Sequence, residues 1–213
     1  MRSTSLTIDT PASSYDLTTV AIAKEELDIG DAQYDGMLAR WISETSILLA
    51  AACNRTFGLE TVTEVFTSYR RPVRGPLRLS RYPVATLIAI TDSADTDLTA
   101  EFRLDAEGGL IGGRVAPSDW FDRNFDQSWD WPFVDLSVHY SGGYDLPGSV
   151  PLPLQQACLT MLKHRWSART RDPSLRAIDI PGVVSKTFWV SSNADGLPPE
   201  VQQLIDAYTD RGL

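Results

Sequence analysis

Two periodicities take turns along this chain. From residue 34 to residue 52 apolar side chains return every three or four positions, at Tyr34, Leu38, Trp41, Ile42, Thr45, Leu48, Leu49 and Ala52. That spacing predicts one buried stripe on a long helix opened by Asp31 or Asp35 and ended by Asn54 or Gly58. Ala39, Ser43, Ser46 and Ala50 are small residues on its other faces, where neighbouring elements can approach closely. Ahead of it, TTVAIAKEEL at residues 18–27 reads as a short helix capped by Thr18 or Thr19. After Leu59 the period drops to two. TVTEVFTSY at 61–69 is β-branched and aromatic and predicts a strand. Leu77-Arg78-Leu79, residues 84–90 and residues 101–104 predict further strands, and EGGLIGG at 107–113 predicts tight reversals. VDLSVHY at 134–140 alternates almost without fault, apolar against polar.

That strand stops at Ser141-Gly142-Gly143, and the pattern returns to helix. Pro151 and Pro153 suit a first helical turn, and Leu154, Cys158, Met161, Leu162 and Arg165 follow at helical spacing, with Trp166 beside them. This helix is expected to fray near Asp172-Pro173. Residues 174–196 read as an extended arm. Its segment 182–190, GVVSKTFWV, is strand-like with no hairpin partner of its own in the pattern, and such an exposed strand invites pairing with another chain. LPPEVQQLIDAY at 197–208 closes the chain as a helix with Val201, Leu204, Ile205 and Tyr208 on one face. The expected fold class is therefore α+β: a bundle of three to four helices with an inserted β-rich subdomain and an extended arm before the C-terminal helix. The expected boundaries are 1–58 for an N-terminal arm and the first helices, 59–141 for the β-rich insertion, and 142–213 for the remaining helical core. No internal repeat or long low-complexity tract interrupts this layout.

Charge changes the picture more than composition does. At 213 residues, 43% hydrophobic and 22% charged, the chain is ordinary for a folded domain with room for a real core. It has no uncharged apolar run of membrane-spanning length, and its first residues lack the apolar stretch of a signal peptide, so a cytoplasmic start and no membrane partner are expected. The net charge of −9 argues against general nucleic-acid binding, which needs clustered cations. Yet the charge is uneven. Arg70, Arg71, Arg74, Arg78 and Arg81 form one acid-free run, and Lys163, Arg165, Arg169, Arg171 and Arg176 form another. Acids dominate from Asp92 to Asp135. Opposed patches of this kind suit contacts between copies or with a partner, because complementary charge sets register; single charges read equally well as solvated.

Reactive chemistry is sparse. The sequence carries no phosphate-binding loop, nucleophile elbow, metalloprotease helix or Cys/His ligand spacing. Cys53 and Cys158 sit in helical patterns among small or apolar neighbours, as structural thiols do. Asp92, Asp95 and Asp97 lack the spacing, central glycine and terminal glutamate of a calcium loop. His139 and His164 are the only histidines, neither near a nucleophile motif. Asn54-Arg55-Thr56 is a glycosylation sequon that means little without secretion. Catalytic, cofactor-binding and metal-binding residues are expected to be none. The stretch 119–133, with Trp120, Trp129 and Trp131 amid acids, has three readings: a loop packed on its own aromatics, a contact surface, or a platform for sugar rings.

The succession of elements resembles the head–tail connector (adaptor) proteins of long-tailed phages and gene transfer agents, in particular larger members with a β insertion. The resemblance rests on LTTVAIAKEEL (17–27), an acidic turn with Asp28, Asp31 and Asp35, and the helix end ACNRTF (52–57). It continues through VHYSGGY (138–144), Val150-Pro151, LQQA (154–157) and the tail LPPEVQQLIDAY, in that order, over about half the chain. It implies a structural virion protein with no enzymatic activity and no cofactor. Such a protein forms a ring with itself, typically of twelve copies, beneath the portal protein, and docks a stopper or tail-completion protein. DNA passes through its channel without sequence-specific binding, and the protein resides in the neck of a virion or virus-like particle after assembly in the host cytoplasm. The candidate interface residues are Arg70, Arg71, Arg74, Trp120, Trp129, Trp131, Arg165, Arg169, Arg171, Val184, Phe188 and Trp189. The alternatives from other classes are a carbohydrate-binding or adhesion module using the Trp-rich loop, and a small carboxylate hydrolase.

Overall fold

Helices form where the three- and four-residue spacing places them. In the computed structural model, which describes residues 5–67, 76–112, 135–169, 177–180, 184–187 and 197–210, they are α1 (Val20–Leu27), α2 (Asp35–Ala52), α3 (Leu152–Ala168) and α4 (Pro199–Ile205). Together with antiparallel sheets they make a mixed α+β architecture. The described residues divide into two compact units, one drawing on 5–14 and 56–146, the other on 15–55 and 147–210.

In the helical unit α1 is capped as its sequence suggests. Thr19 Oγ1 accepts from Ile22 N–H at 3.3 Å, and Asp28 closes the helix in the left-handed conformation with φ of 54°. The buried face of α2 is Leu38, Trp41, Ile42, Thr45, Ser46 and Leu49. Leu48, expected on that stripe, is exposed, and Ser46 is inside instead. The helical phase leaves Leu48 off the stripe, and Ser46 Oγ accepts the buried Leu17 N–H at 2.9 Å, so a small polar residue there satisfies backbone that a leucine would orphan. Leu154, Ala157, Cys158, Leu159 and Leu162 supply the buried face of α3. Helix α4 is seven residues long and would be marginal alone; Val201 and Ile205, both fully buried, tie it to the core and contribute about 1.5–3 kcal/mol each. Leu204 and Tyr208 of the expected face are only half-buried. Asp210 N–H donates to Cys53 O at 2.8 Å, which binds the end of the described chain to the end of α2.

Two strands of this unit correct a sequence expectation. Residues 184–187 of the segment 182–190 do have a strand partner: β8 (Ala177–Ile180) and β9 (Val184–Thr187) pair antiparallel, Ala177 opposite Thr187 and Ile180 opposite Val184. The signal in the sequence is Pro181-Gly182, a turn dipeptide between two short runs.

The β unit is built from seven described strands. β1 (Ser5–Thr10), β2 (Glu60–Phe66), β7 (Leu136–Gly142) and β4 (Val84–Asp92) form an antiparallel sheet in the order β1-β2-β7-β4. β3 (Leu77–Arg78), β6 (Leu110–Gly112) and β5 (Arg103–Asp105) form a second, in the order β3-β6-β5. Ser5–Thr10 was expected within an N-terminal arm of the helical core; instead it is an edge strand, paired from Ser5 opposite Val65 onward. Its first five residues, SLTID, carry the period-two alternation itself, over a shorter run than β2 or β7. β2 and β7 alternate buried and half-buried along their whole lengths. Their inward faces meet Leu77 and Ile111 of the second sheet in one core with Leu79, Val84 and Ile90.

The Ser-Gly-Gly junction has a steric cause. A Cβ on Gly142 would lie 2.3 Å from Arg81 O, and one on Gly143, at φ of 112°, would lie 2.2 Å from Gly58 O. Gly143 N–H donates to Pro83 O, and Tyr144 N–H to Phe57 O, so three chain segments close on that point with no room for side chains.

Candidate functional site

The last turns of α3 carry most of the described cations of the second basic run, and α2 meets them with aromatics and acids. Arg165 Cζ lies 4.6 Å from the centre of the Trp41 ring while an Arg165 Nη donates to Glu44 Oε2 at 2.6 Å. One turn on, Arg169 Cζ lies over two rings, 4.0 Å from the centre of Trp166 and 4.7 Å from that of Tyr34. Those rings meet edge to face at 5.1 Å. Lys163 pairs with Glu26, and His164 Nε2 lies 2.6 Å from Glu200 Oε1. On α1, Lys24 Nζ donates to Asp35 Oδ1 at 2.8 Å. Of the expected interface cations, Arg165 is thus neutralised within the unit. Arg169 is different: it takes no ion pair among the described residues and leaves its guanidinium exposed on an aromatic seat. Elsewhere on α2, Ile47 is 65% exposed and Leu48 42%.

The fold resembles that of chains from the neck of gene transfer agent particles. Over 98% of this chain and 97% of the other, the likeness to a chain from the neck of an empty particle has a TM-score of 0.56 at 16% identity. A chain in the virion of the native particle has the same values, and one from the neck of the native particle gives 0.55 at 17%. The chain matches no protein-family model and no curated protein.

Of the residues singled out by sequence, Arg165 and Arg169 come together beside Tyr34, Trp41 and Trp166, and Val184 begins strand β9. Arg70, Arg71, Arg74, Trp120, Trp129, Trp131, Arg171, Phe188 and Trp189 lie outside the described residues. Arg78 and Arg81, from the first basic run, turn inward. Arg81 Nε donates to Glu60 Oε2 at 2.5 Å, and Arg78 donates to Tyr82 Oη at 2.9 Å and lies over that ring.

Sequence reasoning missed the polar group inside the β unit. Glu64 is fully buried; its Oε1 accepts from Tyr140 Oη and from Ser80 N–H, each at 2.9 Å, and its Oε2 has no partner among the described residues. Tyr140 Oη in turn accepts from Arg81 N–H at 3.0 Å. Burial first, then the Glu64 charge, drive the Tyr140 phenol far above its ordinary range. The available signal was acid at alternate inward positions of β2, Glu60 and Glu64, where the pattern calls for apolar residues. This cluster is a structural tie between strand and loop. On the outer face of the same sheet, Asp9 Oδ2 accepts from Thr63 Oγ1 at 2.7 Å and lies 3.7 Å from His139 Nε2, with both His139 and Asp9 well exposed.

The acidic turn 92–97 holds itself. Asp92 Oδ1 accepts from Ala94 N–H and Thr96 N–H, and Asp97 Oδ1 from Thr99 N–H and Oγ1, which holds both carboxyls below the usual range. Among the described residues no group of three His, Cys, Asp or Glu is placed to hold a metal ion, and no helix is long and apolar enough to cross a membrane.

Proposed function

We propose that this chain is a structural neck protein of a phage-like or gene transfer agent particle, and within the neck the adaptor. It would form a homo-oligomeric ring of about twelve copies beneath the portal, continue the DNA channel and dock the stopper or tail. The observation that carries this reading is the end-to-end likeness in fold to chains from gene transfer agent necks, covering 98% of this chain and 97% of theirs. One of those necks was described with six-fold and another with twelve-fold symmetry, which supports a closed ring here.

The physical features agree with that role. A ring needs two different surfaces on each copy that fit each other, and this chain offers exposed apolar side chains on α2, a stacked arginine on α3 and an acidic turn on the β unit. The net charge of −9 lets DNA pass a channel without adhering, since like charge repels phosphate. In this reading the β unit is an insertion in a helical core, the hairpin β8–β9 and the arm around it dock a neighbour or the portal, and no step of chemistry is assigned to any side chain.

The test is assembly. Purified chain, alone at high concentration and mixed with rings of a gene transfer agent portal, is examined by native mass spectrometry and by electron microscopy. Closed rings, or collars on the portal, are the expected result. A chain that stays monomeric in both mixtures overturns the proposal.

A further inference from the structure

Arg169 is built as a receptor for a carboxylate. Its guanidinium rests over Trp166 at 4.0 Å and Tyr34 at 4.7 Å, two half-buried rings that fix each other edge to face. Stacking removes much of the entropy that an exposed arginine surrenders on binding, and it leaves the N–H edge free for a two-point contact. The other described cations of this surface are already engaged: Lys24 with Asp35, Lys163 with Glu26, Arg165 with Glu44. Arg169 alone among them has rings but no acid among the described residues. Trp, Tyr and Arg together are also the side chains on which interface energy concentrates.

The β unit carries a matching acid. Asp95 sits in the turn 92–97 in the left-handed conformation, φ 58°, exposed, and with no ion pair or side-chain hydrogen bond among the described residues. The turn beneath it is fixed by the carboxylates of Asp92 and Asp97, each bonded to backbone N–H groups of the same loop. Both partners are therefore held in place before they meet.

We infer that Arg169 of one copy receives the carboxylate of Asp95 of a second copy, so that the seat formed by Tyr34 and Trp166 joins the helical unit of one subunit to the acidic turn of the next. The contact unites two different surfaces, the kind that propagates from copy to copy until a ring closes. It rests on the ring reading above and specifies one contact of that ring. DNA is the weaker occupant, because a phosphate track needs several free cations in line and the described residues of this surface offer one, on a chain of net charge −9.

Charge exchange tests the pairing. Arg169→Glu, in the full chain, is compared with wild type, with Asp95→Arg, and with the double variant, by sedimentation velocity and native mass spectrometry, alone and with portal. Each single change is expected to weaken association between copies roughly ten- to a hundredfold, and the double variant to recover most of it. Arg169→Gln, which brings no repulsion, is expected to fall between, with circular dichroism and the thermal midpoint of the monomer unchanged. If wild type assembles and Arg169→Glu assembles equally well, the pairing is wrong and the ring reading stands. Loss in both single variants without recovery in the double also overturns it, since Arg169 then takes another acid. Reduced DNA retention with unaltered assembly assigns Arg169 to the channel and overturns it too. A wild-type chain that never associates removes both readings together.

Discussion

Tyr140→Phe removes one oxygen atom from the interior of the β unit and leaves the shape of the ring in place. That oxygen donates to Glu64 Oε1 at 2.9 Å and accepts from Arg81 N–H at 3.0 Å. Loss of a hydrogen bond to a carboxylate is worth about 1.5–3 kcal/mol, and stranding a buried N–H about 1–3 kcal/mol. Arg81 is only partly buried, so the second figure belongs at its lower end. The expected destabilisation is about 2–4 kcal/mol, a large share of the ~5–15 kcal/mol by which domains are stable. Because the chain has two units, urea unfolding is best read through hydrogen exchange of amides in β2 and β7, which belong to this unit alone. With a slope of about 1–3 kcal/mol per molar urea, the midpoint should fall by about 1–2 M. The same change made in a Glu64→Gln background should cost about 1 kcal/mol less, since the phenol then donates to a neutral acceptor. A midpoint shift below about 0.3 M, or an equal shift in both backgrounds, refutes the reasoning and means that solvent replaces the phenol oxygen.

Three further outcomes follow from particular residues. Gly143→Ala sets a Cβ 2.2 Å from Gly58 O at a φ of 112°, so thermal denaturation should show a loss of at least about 2–3 kcal/mol, whereas Gly36→Ala, with open space around it, should shift stability little. Burial pushes the Cys158 thiol up to about 12 and raises Cys53 as well, so at pH 8 both should react with a disulfide reagent only as fast as the fold opens; prompt labelling of either in the native protein contradicts their burial. The Tyr140 pKa is raised in the folded protein, so its contribution is fully present below 10, its ordinary value, and is lost as pH rises above that and the unfolded chain ionises. Absorbance at 295 nm should show one tyrosine that titrates only with unfolding, and this one should be missing from Tyr140→Phe.

Much of the fold was readable because each strand and helix carries its own period. The alternation through 134–140 became β7, and the three- and four-residue steps from Tyr34 became α2. The misreadings share a cause: they fall where a pattern was short or where backbone, rather than apolarity, set the choice. The five residues of alternation that open Ser5–Thr10 were too few to outweigh the proximity of α1, and only pairing with β2 gives them a sheet to join. Ser46 lies within the buried stripe and answers the Leu17 N–H, a demand made twenty-nine residues away in the chain, while the helical phase leaves Leu48 outside it. Segment 184–187 looked partnerless because its partner, 177–180, is polar at Asp179 and only four residues long.

The candidate interface was legible in composition but not in allegiance. Sequence marks Arg165 and Arg169 as equals in one basic run, four residues apart on a helix face. What separates them is which side chain α2 sets opposite. Glu44 lies one turn beyond Trp41 and meets Arg165, while Tyr34 precedes the helix and brings Arg169 a ring without a carboxylate. A charge satisfied within its own unit adds little to assembly, because it would have to abandon one partner to gain another. A charge that is held by rings, with no counter-ion among the described residues, has nothing to abandon. By the same logic Arg78 and Arg81, which read as surface charge in sequence, are withdrawn from any interface by Tyr82 and Glu60. The surface available to a neighbour is set less by the number of charges on it than by which of them the chain has left unanswered.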